Sequence, residues 1–154
     1  AISSNVKVRI TNNADTTVKD TSDANFKIIG AFSLTSPNAG TEKWTVGTSH
    51  NITWTRTGSI ANAKLEYSTN GGTSYPNLII ASTPAASLLY PWTIPDAIGN
   101  QVKVKISDAS DATVSDTSDN TLISLLALLF LNPMALRSGQ LMSREISSGL
   151  LLEL

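Results

Sequence analysis

Val6-Lys7-Val8-Arg9-Ile10 returns later in the chain as Val102-Lys103-Val104-Lys105-Ile106, and Asp20-Thr21-Ser22-Asp23 returns as Asp116-Thr117-Ser118-Asp119. Both pairs are 96 residues apart, and 11 of the 18 positions from Val6 to Asp23 are identical at that offset. Within each run apolar and charged side chains alternate, the period of a strand with one buried and one wet face. A repeat this long is a whole domain rather than a solenoid unit. It fits a β-sandwich of about 100 residues. The expected fold is therefore all-β, an immunoglobulin or fibronectin-III-like two-sheet sandwich, with one complete module and part of a second. The period sets the boundaries: residues 31–123 form the complete module, residues 1–29 are the last two strands of a preceding copy, and residues 124–154 are a Leu-rich tail.

The rest of the module keeps the same alternation. Ile52 and Trp54 alternate with Asn51, Thr53 and Thr55; Leu65 and Tyr67 alternate with Lys64, Glu66 and Ser68. Ser36-Pro37-Asn38, Asn70-Gly71-Gly72, Ile94-Pro95-Asp96 and Asp108-Ala109-Ser110-Asp111 read as turns between them. The pattern predicts strands over 31–36, 43–46, 50–56, 63–69, 77–81, 88–93, 101–107 and 120–124.

Composition narrows the function classes. The formal net charge is −1 and only 15% of residues are charged, which argues against nucleic acid, whose phosphates need a basic surface. Cysteine is absent, excluding a disulfide framework, a thiolate metal site and a Cys nucleophile. The polar face is built from Thr, Ser, Asn and Asp, the mixture of secreted all-β modules, so an extracellular or cell-surface location is expected. From Ser124 onward the composition changes: residues 121–154 hold 12 Leu against 5 in the first 120. The apolar run from Leu122 to Leu131 is too short to span a bilayer as a helix. The tail fits three readings: a divergent start of another module, a short amphipathic helix, or a non-native end.

The ordered motifs resemble a known domain. They are Ser36-Pro37-Asn38, Trp44-Thr45-Val46-Gly47, Asn51-Ile52-Thr53-Trp54, Leu65-Glu66-Tyr67-Ser68-Thr69-Asn70-Gly71-Gly72, Tyr90-Pro91-Trp92-Thr93-Ile94-Pro95, and Val102 to Asp108 followed by Asp116-Thr117-Ser118-Asp119. Together they look like the Ser/Thr-rich, GPI-anchored membrane-family domain. That domain is related to the N-terminal domain of yeast cell-wall β-1,6-glucan assembly proteins and to modules repeated in bacterial surface proteins. The resemblance covers about residues 31–123, with residues 5–28 as a second partial copy. It implies an extracellular sandwich without an active site, used mostly as an accessory or architectural part.

The inventory of reactive residues points the same way. His50 is the only histidine, and it reads as an exposed polar residue at a strand start; a zinc pair and a hydrolytic triad both need more. No enzyme and no cofactor are expected. Asp108, Asp111, Asp116 and Asp119 cluster late in the module; as oxygen ligands they would suit calcium, and as turn residues they would cap their own amides. Trp44 and Tyr75 are the two rings free to stack on a cell-surface glycan. Val6, Val8, Ile10 and Phe26 define an apolar face on a segment that is marginal alone. The expected partners are therefore neighbouring copies or adjacent modules. The leading reading is a structural or adhesive module that assembles into filaments by strand exchange; the alternative is a carbohydrate-binding accessory module.

Overall fold

The computed structural model describes residues 2–127. The tail readings fall largely on residues 128–154, outside the described residues. Thirteen strands follow in order: β1 (Ser3–Val6), β2 (Arg9–Thr11), β3 (Lys19–Thr21), β4 (Phe26–Ile28), β5 (Ala31–Ser36), β6 (Lys43–Thr45), β7 (Ser49–Thr57), β8 (Asn62–Ser68), β9 (Asn77–Pro84), β10 (Leu89–Thr93), β11 (Gly99–Asp108), β12 (Ser115–Thr117) and β13 (Leu122–Leu125). A single 3-10 turn, Ala85–Ser87, connects β9 to β10.

The chain is all-β. From β5 onward it forms two sheets, the arrangement of a β-sandwich. One has the order β10-β7-β5; the other runs β6-β13-β11-β8-β9, with β12 also against β11. Every neighbouring pair is antiparallel except β13 and β6, which are parallel. The alternation read in the sequence decides which side chains face inward. Ile52 and Trp54 from β7 and Leu34 from β5 meet Leu65 from β8, Val102, Val104 and Ile106 from β11, and Leu122 from β13, all buried in one core. Each such side chain contributes about 1.5–3 kcal/mol by leaving water. The indole N–H of Trp54 is not stranded, since it donates to the Ala85 carbonyl at 3.0 Å.

All eight predicted strands of the module are present, with ends within about three residues of the observed ones, the ordinary uncertainty of strand boundaries. β12 was not anticipated. Its three residues, Ser-Asp-Thr, carry no apolar alternation and owe their conformation to pairing with β11.

Residues 2–29 were expected as two strands. They form four short ones, β1 pairing with β4 and β2 with β3. β1 and β2 together correspond to the long β11, interrupted at Lys7 and Val8 where the copy has no β8 to hold it straight. The registers repeat faithfully. Arg9, Ile10 and Thr11 face Thr21, Asp20 and Lys19, as Lys105, Ile106 and Ser107 face Thr117, Asp116 and Ser115. Ser3 faces Ile28 and Val6 faces Phe26, as Gly99 faces Ser124 and Val102 faces Leu122.

The hairpin joins the module without a linker. Gly30 is buried, and a Cβ there would lie 2.7 Å from both Ile60 Cγ1 and the Thr57 carbonyl oxygen. Only glycine fits so close an approach. Gly58, at φ +83°, faces it from the next loop, with room for a Cβ only 3.2 Å from the Gly30 Cα. Ile2 packs against the module core from the hairpin side.

Candidate functional site

The 96-residue repeat places two versions of one hairpin in the same molecule, and their polar frames match bond for bond. Val104 N–H donates to Ser118 Oγ at 3.1 Å, and Val8 N–H donates to Ser22 Oγ at 3.2 Å. The Lys103 ammonium donates to the Asp119 carbonyl at 3.0 Å, and that of Lys7 to the Asp23 carbonyl at 3.1 Å. Asp111 accepts from the Thr113 amide and hydroxyl at 3.1 and 2.6 Å; Asp15 accepts from those of Thr17 at 3.0 and 2.6 Å. The threonine hydroxyl in each case, with its amide, holds the carboxyl below the ordinary aspartate range.

What differs is cover. Val104 and Ile106 are fully buried, whereas Val8 is 61% and Ile10 is 73% exposed. Val18 and Phe26 are exposed where Val114 and Leu122 are buried. The expected assembly residues Val6, Val8, Ile10 and Phe26 are thus brought onto one face, with Val6 half-buried. Two members were missed. Val18 matches Val114 inside the identical run, so the repeat itself could have revealed it. Ile28 stands where the module has Ser124, and only the β1–β4 register places it on this face.

The four candidate calcium ligands do not form one site. Asp108 Oδ1 accepts from the Ser110 amide at 2.8 Å and its hydroxyl at 2.7 Å. Asp116 Oδ2 accepts from the Leu34 amide on β5 at 2.7 Å. Asp119 Oδ2 accepts from the Asn38 side chain at 2.9 Å. With Asp111 turned to Thr113, each carboxylate serves its own turn or ties a loop across the sandwich. Among the described residues no three His, Asp or Glu side chains gather to hold a metal ion.

The glycan platform also changes on inspection of the fold. Trp44, expected to be exposed, is only 7% exposed. It stacks on His50 at 4.6 Å between ring centroids and meets Trp92 edge-on at 6.1 Å. His50, expected to be an exposed polar residue, is half-buried in that stack and hydrogen-bonded to the Thr48 hydroxyl at 3.0 Å. The alternation around Trp44 is too short to reveal its face, because β6 is three residues long. Tyr75 is half-buried. It lies over Gly72, where a Cβ would stand 2.9 Å from its hydroxyl, and the Lys105 ammonium sits 5.8 Å from its ring centre. Burial pushes its phenol above the ordinary range, against a lowering contact from Thr117. The two rings do not combine into a flat exposed surface.

Glu42 organises the loop after β5. Its Oε1 accepts the Asn38 and Ala39 amides, each at 2.8 Å. Burial raises its carboxyl, but these amides together outweigh it and hold the group below the ordinary glutamate range.

Among the described residues no helix is long and apolar enough to cross a membrane. Comparison with known proteins returns no protein family, no curated protein and no solved structure that matches this chain.

Proposed function

We propose that the chain is a non-catalytic structural or adhesive module of the immunoglobulin or fibronectin-III type, carried by a surface or secreted protein. On this reading it joins like modules through its uncovered hairpin, and head-to-tail joining by strand exchange builds filaments. One observation carries the reading: Val8, Ile10 and Val18 are exposed in the hairpin, while the identical residues 96 positions later are core. A hairpin that keeps a core face and a matching hydrogen-bond frame is suited to burial against a sandwich. The resemblance of the ordered motifs to surface-protein modules supports the location. The carboxylates committed to turns and the buried Trp44 lend no support to catalysis or to a glycan platform.

Light scattering across a concentration series tests the assembly. The expected result is mass that grows with concentration; a strictly monomeric species up to the solubility limit would sink it. Titration with β-glucan or chitin fragments is expected to leave tryptophan emission unchanged, and a saturable shift would replace this reading with a carbohydrate-binding module.

A further inference from the structure

Deepening the assembly reading, on which it rests, we propose that the hairpin of residues 2–29 of one copy takes the place of the β11–β13 hairpin in a second copy. There it runs along β8 in the register that β11 holds.

The occupied seat in the module shows what the hairpin needs. β11 pairs with β8 through Lys105 opposite Glu66 and Ile106 opposite Leu65. Val102, Val104, Ile106 and Val114 fill the core against the facing sheet, and Val6, Val8, Ile10 and Val18 supply the same side chains in the same order. The polar attachments are supplied as well. Asp116 holds the Leu34 amide and Asp119 holds the Asn38 side chain; Asp20 and Asp23 stand at those two places in the hairpin, and both are exposed. Addition of the hairpin to the β9 edge would satisfy its backbone but leave the apolar face uncovered.

Exchange leaves the number of covered hairpins unchanged, so its direction depends on which hairpin fits better. The resident one has a defect. Ser124 Oγ is buried without a hydrogen-bond partner, an unfavourable state for a hydroxyl. Ser124 lines a narrow crevice with Tyr67, Trp92, Val102 and Leu122. The incoming hairpin has Ile28 there, which needs no partner, and Phe26 in place of Leu122. Because Gly30 couples the hairpin directly to its own module, the donor module sits end-on to the acceptor. The contact is heterologous and continues to further copies.

The chain has no cysteine, so paired cysteines report the register cleanly. In Arg9→Cys/Glu66→Cys, mild oxidation is expected to give a ladder of disulfide-linked multimers on a non-reducing gel. Lys105→Cys/Glu66→Cys marks the unexchanged module by an intrachain bond. Adding Ile28→Ser, or Ser124→Ile, is expected to reduce the ladder by about tenfold, the effect of a modest loss of preference between hairpins. Ser124→Ile should also raise the melting temperature of the monomer. Association of the unmodified chain without a ladder from Arg9→Cys/Glu66→Cys would overturn the exchange while leaving the assembly reading intact. A ladder indifferent to both Ile28→Ser and Ser124→Ile would overturn the preference that drives it. Absence of any association would overturn the assembly reading itself.

Discussion

Two hairpins of nearly the same sequence stand in this molecule in opposite environments. Residues 99–125 are clasped between β8, β6 and the facing sheet; residues 2–29 keep the same pairing register and hydrogen bonds with their apolar side in water. The difference separates what a hairpin holds by itself from what a sandwich adds. Register, turn capping by Asp15 or Asp111, and the serine bridge at Ser22 or Ser118 are local and survive in both. The straightness of the long strand and the burial of its valines depend on the rest of the module. Burial is also where the energy lies, since a two-stranded hairpin is marginal without a packed face.

The sharpest way to break this comparison is one truncation made in both places. Ile106→Ala removes a fully buried side chain and is expected to cost about 2–5 kcal/mol. Ile10→Ala, at an exposed position, is expected to stay within about 0.5 kcal/mol. Urea denaturation of dilute protein reads both, and equal losses would mean that the hairpin face is covered after all.

The serine bridge gives a smaller contrast. Ser118→Ala leaves the buried Val104 amide without an acceptor, at an expected cost of about 1–3 kcal/mol. In Ser22→Ala water replaces the lost acceptor for Val8, and the melting temperature should barely move. A comparable drop in both would indicate that the first hairpin is dry.

Gly30→Ala probes the joint between the two regions. Its methyl group would press on Ile60 and the Thr57 carbonyl, and overpacking of this kind costs about 1–3 kcal/mol. Thermal melting is expected to fall; an unchanged midpoint would show that the joint relaxes freely.

The smallest expected effect is a pH dependence confined to the module. Glu42 has its folded pKa depressed, so its contribution is present above the ordinary glutamate value of 4.5 and is lost as pH falls through the lower folded value. Glu42→Gln should lower stability at neutral pH and flatten the melting temperature across that acidic window. A variant that keeps the parent's acid slope would assign the slope to other carboxylates.

Much of the fold was legible in the residues because a half-buried strand must alternate. Ile52 with Trp54 and Val102 with Val104 and Ile106 could point inward in only one phase. β12 was not legible, because Ser115-Asp116-Thr117 carries no such alternation. Trp44 was misjudged for a related reason: three residues of β6 contain too little pattern to say which side is wet. Its burial comes from the stack with His50 and the edge contact with Trp92, residues brought together by the pairing of β7 with β10 and the parallel pairing of β6 with β13.

By itself the sequence determined the strand phases, the 96-residue copy and the apolar character of the first hairpin, since these are one-dimensional properties of spacing and side-chain type. Only the tertiary structure decided which of two identical apolar faces is covered, that the late aspartates are spent on separate turns, and that Ser124 is buried where its repeat carries Ile28. Cover and partnership depend on what the rest of the chain brings within a few ångströms, and spacing along one strand does not encode that.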